Sequence, residues 1–124
     1  MQRIMIALAV LAIAAPGAAK DRNRIPAAEP AGKPQSCITT SRISQSHVRN
    51  DWVIDFEMRD GSIYRNTLPA ACSGLTFDQR FAYRTSIGQL CSVDTITVRR
   101  GDGLSQGPTC GLGEFQPIKL VAKH

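Results

Sequence analysis

The sequence predicts a mainly β domain: a small antiparallel sheet or partly open barrel of five to six short strands, stapled by disulfides. Three observations carry this. From Trp52 onward apolar and polar residues alternate with a period of two, which is the spacing of a strand. Turn-forming residues interrupt the chain at short intervals after Cys37, leaving room for little helix. Four cysteines, an even number, all follow residue 36 of a 124-residue chain, where cross-links supplement a modest core.

The chain opens as a secretory leader. Arg3 supplies a positive start, residues 4–15 are an unbroken apolar run of 12, and residues 16–19, PGAA, are small and suited to cleavage before Lys20. A run of that length is shorter than the roughly 20 residues of a spanning helix, so no transmembrane anchor is expected. An uncleaved apolar anchor or a buried helix is the alternative. Because the first cysteine is Cys37, lipid attachment at the cut is not expected. Residues 1–19 are therefore read as a signal peptide, and the mature protein as periplasmic or secreted.

Residues 20–36, KDRNRIPAAEPAGKPQS, hold three prolines, six charges and Ile25 as the one sizeable apolar side chain. They are expected to form a flexible linker, since such a segment has no core of its own. The competing reading is a segment that grips a cell-wall polymer or membrane surface. A single disulfide-linked domain is expected over 37–118, followed by a C-terminal tail at 119–124 in which Lys119, Lys123 and His124 fray.

Within the domain, Ile38, Ile43 and Val48 suggest a first strand. Next, Trp52, Ile54, Phe56 and Met58 share one side, and Val53, Asp55, Glu57 and Arg59 the other, so a half-buried strand with a wet face is expected. Asn50 and Asp51 mark a bend before it. Asp60 and Gly61 supply a turn and residues 62–68 a partner strand, so 52–68 reads as a hairpin. Pro69 ends it, and residues 70–74 connect onward.

Residues 75–85 carry two periodicities. Phe77, Phe81 and Arg84 have helical spacing, whereas Phe81 and Tyr83 alternate like a strand; the preferred reading is a turn or short helical piece at 76–79, then a strand at 80–84. Residues 95–99 form a clearer strand with Ile96 and Val98 on one face. Asp94 and the neighbouring hydroxyls are placed to bond turn amides before it. Residues 99–109, with Gly101, Gly103, Gly107 and Pro108, read as a wide or mobile loop. A short last strand around Phe115 is expected at 111–117, with Leu120 and Val121 covering an edge.

Export delivers Cys37, Cys72, Cys91 and Cys110 to an oxidising compartment, so disulfides are expected. Four cysteines allow three pairings. The favoured one joins Cys72 to Cys91 and Cys37 to Cys110, nesting a local clip inside a bond that ties the domain ends. The steps between cysteines are 35, 19 and 19, and neither histidine lies near a cysteine pair, which is unlike structural zinc; no metal is expected. The equal steps are not a repeat, because little beyond the following serine is shared after Cys72 and Cys91.

The formal charge of +5 falls by one with Arg3 and is spread along the chain, so no nucleic-acid partner is expected. Gly101, Gly103 and Gly107 lack the lysine and helix of a phosphate-cradling loop. His47 stands in the polar run SQSHVRN and reads as an exposed imidazole, while His124 is the last residue. Asp55 and Glu57, about 7 Å apart along one strand, could act as a glycosidase pair or simply keep a sheet face wet. Tyr64 can bridge core and rim. No catalytic residue and no cofactor is assigned. Arg65, Arg99 and Arg100 are the candidate contacts for an anionic ligand.

Several pieces of the chain carry a resemblance: Cys37-Ile38, Asp55-Phe56, YRNTL at 64–68, Cys72 with Gly74-Leu75, LCSVDTI at 90–96 and CGLGEF at 110–115. Over 37–117, about two thirds of the length, the chain resembles a family of small uncharacterised exported, periplasmic proteobacterial proteins with four cysteines. The resemblance implies export, paired cysteines and a single domain, and brings no catalytic residue. The expected function is a non-enzymatic role in the cell envelope, binding an envelope protein or an anionic ligand. The alternatives are a small envelope hydrolase using acidic residues, or an inhibitor that presents the 101–108 loop.

Overall fold

The computed structural model describes residues 25–85, 87–101 and 105–121. The expected leader, Gly103 and His124 lie outside them. In chain order the elements are β1 (Ala28–Pro30), β2 (Cys37–Thr39), a 3-10 turn (Thr40–Arg42), β3 (Ile43–Val48), β4 (Val53–Met58), β5 (Ile63–Thr67), α1 (Leu75–Asp78), β6 (Phe81–Tyr83), β7 (Gln89–Cys91), β8 (Thr95–Arg99), β9 (Gln106–Gly111) and β10 (Phe115–Leu120). Strand accounts for 51% of the described residues and helix for 8%, so the protein is mainly β. All pairings are antiparallel. The described residues form three sheets: a five-stranded one ordered β1-β10-β5-β4-β3, a pair β2-β7, and a three-stranded one ordered β6-β8-β9. The barrel is open, because β3 and β6 each end a sheet and do not pair with one another.

Where the period-two signal is strong, the expected elements form. The hairpin β4-β5 runs from Val53 opposite Thr67 to Glu57 opposite Ile63. At its tip, Asp60 Oδ1 accepts from the Ser62 amide at 2.9 Å and hydroxyl at 2.6 Å, while Gly61 takes a left-handed φ of 92°. Residues 75–85 divide as preferred, into a helical turn and a strand, with Gln79 left-handed between them. Asp94 takes its turn role: Oδ2 accepts from the Cys91 amide at 2.7 Å.

The core lies between the sheets. Phe56 of β4 is fully buried at its centre, with Phe81 and Phe115 edge-on at centroid distances of 6.1 and 5.6 Å. Such aromatic pairs contribute about 0.5–1.5 kcal/mol each beyond the area they bury. Ile54, Cys72, Leu75, Leu90, Ile96 and Val98 are fully buried around them.

Several expectations are corrected. Trp52 does not join the core face; it precedes β4 and is 49% exposed. The other face of β4 is wet only toward its end: Val53 and Asp55 are buried, whereas Glu57 is half-buried and Arg59 exposed. The expected first strand is split: β2 pairs with β7, and after the 3-10 turn β3 pairs with β4. The expected spacer 20–36 is, from Ala28, part of the sheet edge. Ala28, Glu29 and Pro30 lie opposite Leu120, Lys119 and Ile118, and Gln35 exchanges two 2.8 Å backbone hydrogen bonds with Phe115. An edge strand tolerates prolines because half of its amides need no partner, so the proline-rich composition concealed it.

The loop at 99–109 is also shorter than expected, since β9 starts at Gln106. Gly107 is there for close approach, not for mobility: a Cβ at that position would come within 3.0 Å of the Val98 Cβ. Nor does Lys119 fray. Lys119 and Leu120 belong to β10, between β5 and β1, and the Val121 amide donates to Ala27 O.

All four cysteines are paired, but as Cys37–Cys91 and Cys72–Cys110. The favoured nested pairing is thereby overturned. Strand register decides the first bond, because β2 and β7 place Cys37 directly opposite Cys91. For the second, the Cys72 amide donates to Asp51 O, fixing the connection after the hairpin where it meets Cys110 of β9. The bonds interleave, with separations of 54 and 38 residues. Chain entropy assigns each about 4 kcal/mol as an upper guide. Among the described residues no helix is long and apolar enough to cross a membrane.

Candidate functional site

Strand β8 organises the site. Ile96 and Val98 enter the core, so Thr95, Thr97 and Arg99 stand on the outer face. On one side Ala82 lies opposite Thr97, and the Arg99 amide donates to Arg80 O at 3.0 Å, which sets Arg80 against Arg99. Arg84, one step past Tyr83, continues this register toward Thr95. On the other side Thr109 faces Thr97 with their hydroxyls 2.9 Å apart, and Gln106 faces Arg99. The outer face of β6-β8-β9 thus carries Arg80, Arg84 and Arg99 around the small Ala82 and a row of threonines.

Two shallow grooves meet here. One, of about 330 Å³, is lined by Tyr83, Arg84, Thr95, Thr97 and Gln106; the other, of about 360 Å³, by Ser46, Gln79, Arg80 and Phe81. They share Ala82 and Arg99. All three arginines are exposed, and among the described residues their side chains make no ion pair or hydrogen bond. Like charges directly opposite on neighbouring strands are destabilising. Arg80 beside Arg99 is therefore a local cost that a bound anion would remove, and each guanidinium offers a planar fork of donors to it.

Of the arginines expected to meet an anion, Arg99 belongs to this face, and Arg65 and Arg100 do not. Arg65 lies on β5 and is bonded to Asp55. Arg100 Nη1 lies 3.9 Å from Asp78 Oδ2, a buried oxygen with no hydrogen bond among the described residues, while Asp78 Oδ1 accepts from the Gly101 amide at 3.0 Å. Sequence reasoning missed Arg80 and Arg84. Their signal was the alternation Arg80, Ala82, Arg84 against Phe81 and Tyr83, hidden by the competing helical spacing.

The acidic pair on β4 is committed elsewhere. Asp55, 0% exposed, accepts from Arg49 Nε at 2.9 Å and from Arg65 through Nε at 2.8 Å and Nη2 at 2.9 Å. Arg65 Nη2 also donates to Pro26 O at 3.1 Å, tying the segment before β1 to the sheet. Glu57 Oε1 lies 3.1 Å from His47 Nε2 and accepts from Gln45 Nε2 at 3.3 Å, so His47 is half-buried and paired. Neither groove includes Asp55, Glu57 or His47. Among the described residues no group of three or more His, Cys, Asp or Glu could hold a metal ion.

Asn66 is a further residue whose role the sequence did not announce. Buried on β5, it donates to Gly113 O at 2.7 Å and accepts from the Gly113 amide at 2.8 Å. A Cβ at 113 would collide with the Thr67 carbonyl oxygen, so glycine is required there. At the hairpin tip, the Ser62 hydroxyl and then its amide hold the fully exposed Asp60 carboxyl below its ordinary value. Comparison with protein-family models, with curated proteins and with solved structures returns no match.

Proposed function

We propose that this is a non-enzymatic exported protein of the cell envelope that binds an anionic ligand on the outer face of β6-β8-β9. The observation that carries the reading is the set of three exposed arginines, Arg80, Arg84 and Arg99, unpaired among the described residues, around two shared grooves. The threonine hydroxyls supply neutral donors between them, and Tyr83 an exposed ring at the rim. Open grooves suit a partner laid across the surface better than an enclosed small molecule. Export is supported by the leader-like start of the sequence and by two disulfides, which persist in oxidising compartments.

The test is a titration with a short-chain polyphosphate as the anionic probe. Binding is expected to weaken as salt rises, because exposed charges are screened over about 8–10 Å near physiological ionic strength. Replacing Arg80, Arg84 and Arg99 together by alanine is expected to abolish it while leaving the fold intact. Polyphosphate binding that survives the triple substitution would place the anion site elsewhere and refute the reading.

A further inference from the structure

We infer that the partner is an extended acidic peptide that adds as a strand in the seam between β3 and β6, an inference that rests on the anion-binding reading above. The seam is the opening of the barrel, where β3 ends the five-stranded sheet and β6 the three-stranded one. The two edges present backbone groups to it. The Arg49 amide donates to Val53 O, so the bonded positions of β3 continue through His47 and Gln45, and the N–H and C=O of Ser46 and Val48 point away from β4. By the same alternation, the Arg99-to-Arg80 bond makes Ala82 a bonded position, and Phe81 and Tyr83 point theirs away from β8.

Cavities run along this seam. Ser46 and Phe81 border one of about 360 Å³, and beyond the end of β6, between Val48 and the α1 residues Thr76 and Phe77 with Gln79, lies a second of about 430 Å³. Ser46 lies opposite Phe56 on the core side of its sheet, yet it is exposed, because none of the described residues covers that edge. Natural edges are commonly protected by lysine, proline or inward charges. The β3 sequence ISQSHV has none of these, and its one irregularity, between Ile43 and Gln45, precedes Ser46 and Val48.

Charge chooses the occupant. A strand added beside β6 has alternate side chains on the outer face, level with Arg80, Ala82 and Arg84, and the intervening ones toward Phe81 and Val48. The complementary peptide therefore alternates acidic and apolar residues, with carboxylates four positions apart reaching Arg80 and Arg84. A second copy is a poorer occupant, since pairing β6 with its counterpart would bring these arginines together.

The experiment uses a blocked peptide of alternating Glu and Val, the same peptide N-methylated on alternate amides, and polyphosphate, each titrated into the full-length exported protein. Strand addition predicts that N-methylation weakens the peptide by about tenfold or more at unchanged charge. It also predicts slowed hydrogen exchange of the Ser46, Val48, Phe81 and Tyr83 amides when the unmodified peptide binds. Ser46→Pro removes a seam-facing donor and leaves the β3-β4 ladder intact, so it should weaken the peptide and spare polyphosphate. Equal binding of both peptides, or binding of polyphosphate alone, overturns strand addition and leaves the anion site standing. If neither peptide nor polyphosphate binds, both readings fall.

Discussion

Two sheets of this protein present arginines on their outer faces, and they use them in opposite ways. On the five-stranded sheet Arg49 and Arg65 converge on the buried carboxylate of Asp55. On the three-stranded sheet Arg80, Arg84 and Arg99 surround Ala82 and the threonines, with no carboxylate of the described residues among them. The difference teaches that an arginine in a strand says little until its cross-strand neighbour is known. One carboxylate at the position opposite Arg65 turns a potential binding group into a structural clamp.

The most severe way to break the comparison is Asp55→Ala. It leaves two guanidinium groups beside a dry pocket, and loss of one partner of a buried pair costs about 3–5 kcal/mol. A matching fall in the urea midpoint is expected, with polyphosphate affinity of the folded fraction unchanged. Removing the Cys72–Cys110 bond by paired alanine substitution should cost up to about 4 kcal/mol, read in the same denaturation experiment under oxidising conditions. Gly113→Ala is expected to cost about 1–3 kcal/mol, because the added methyl must displace the Thr67 carbonyl or break the Asn66 clamp.

Arg80→Ala sharpens the contrast from the other side. Relief of the juxtaposition with Arg99 should leave stability unchanged or raise it by up to about 1 kcal/mol, whereas Arg65→Ala destabilises. Thermal melts of the two variants side by side decide the matter, and a destabilised Arg80→Ala would mean that its charge is structural. The smallest effect belongs to Asp60. Its folded-state value lies below the ordinary carboxylate value of 3.8, so its contribution is present above that pH and is lost as pH falls through the lowered value. Comparing melts of the native protein and Asp60→Ala at pH 6 and pH 3 should show a difference at pH 6 that shrinks at pH 3.

Legibility followed the range of the interaction. The hairpin, the helical turn before β6 and the cap made by Asp94 were readable because each depends on residues a few positions apart. The strand at Ala28–Pro30 was not, since its bonds run to residues near the other end of the chain and its prolines disguise it. Asp55 misled for the same reason: period-two alternation placed it on a wet face, and only Arg49 and Arg65, brought over it by the pairing of strands, accompany its burial. Within the candidate site Arg99 was foreseen, but Arg80 and Arg84 were not, because the spacing of Phe77, Phe81 and Arg84 also fits a helix.

By itself the sequence determined the β class, the antiparallel character and the expectation that four cysteines form bonds, because alternation, turn residues and an even cysteine count are local or compositional. Tertiary structure alone decided which cysteines meet, which charges are consumed and where the barrel stays open. Those outcomes depend on which strands become neighbours, and a strand's own residues specify its faces without specifying its partner.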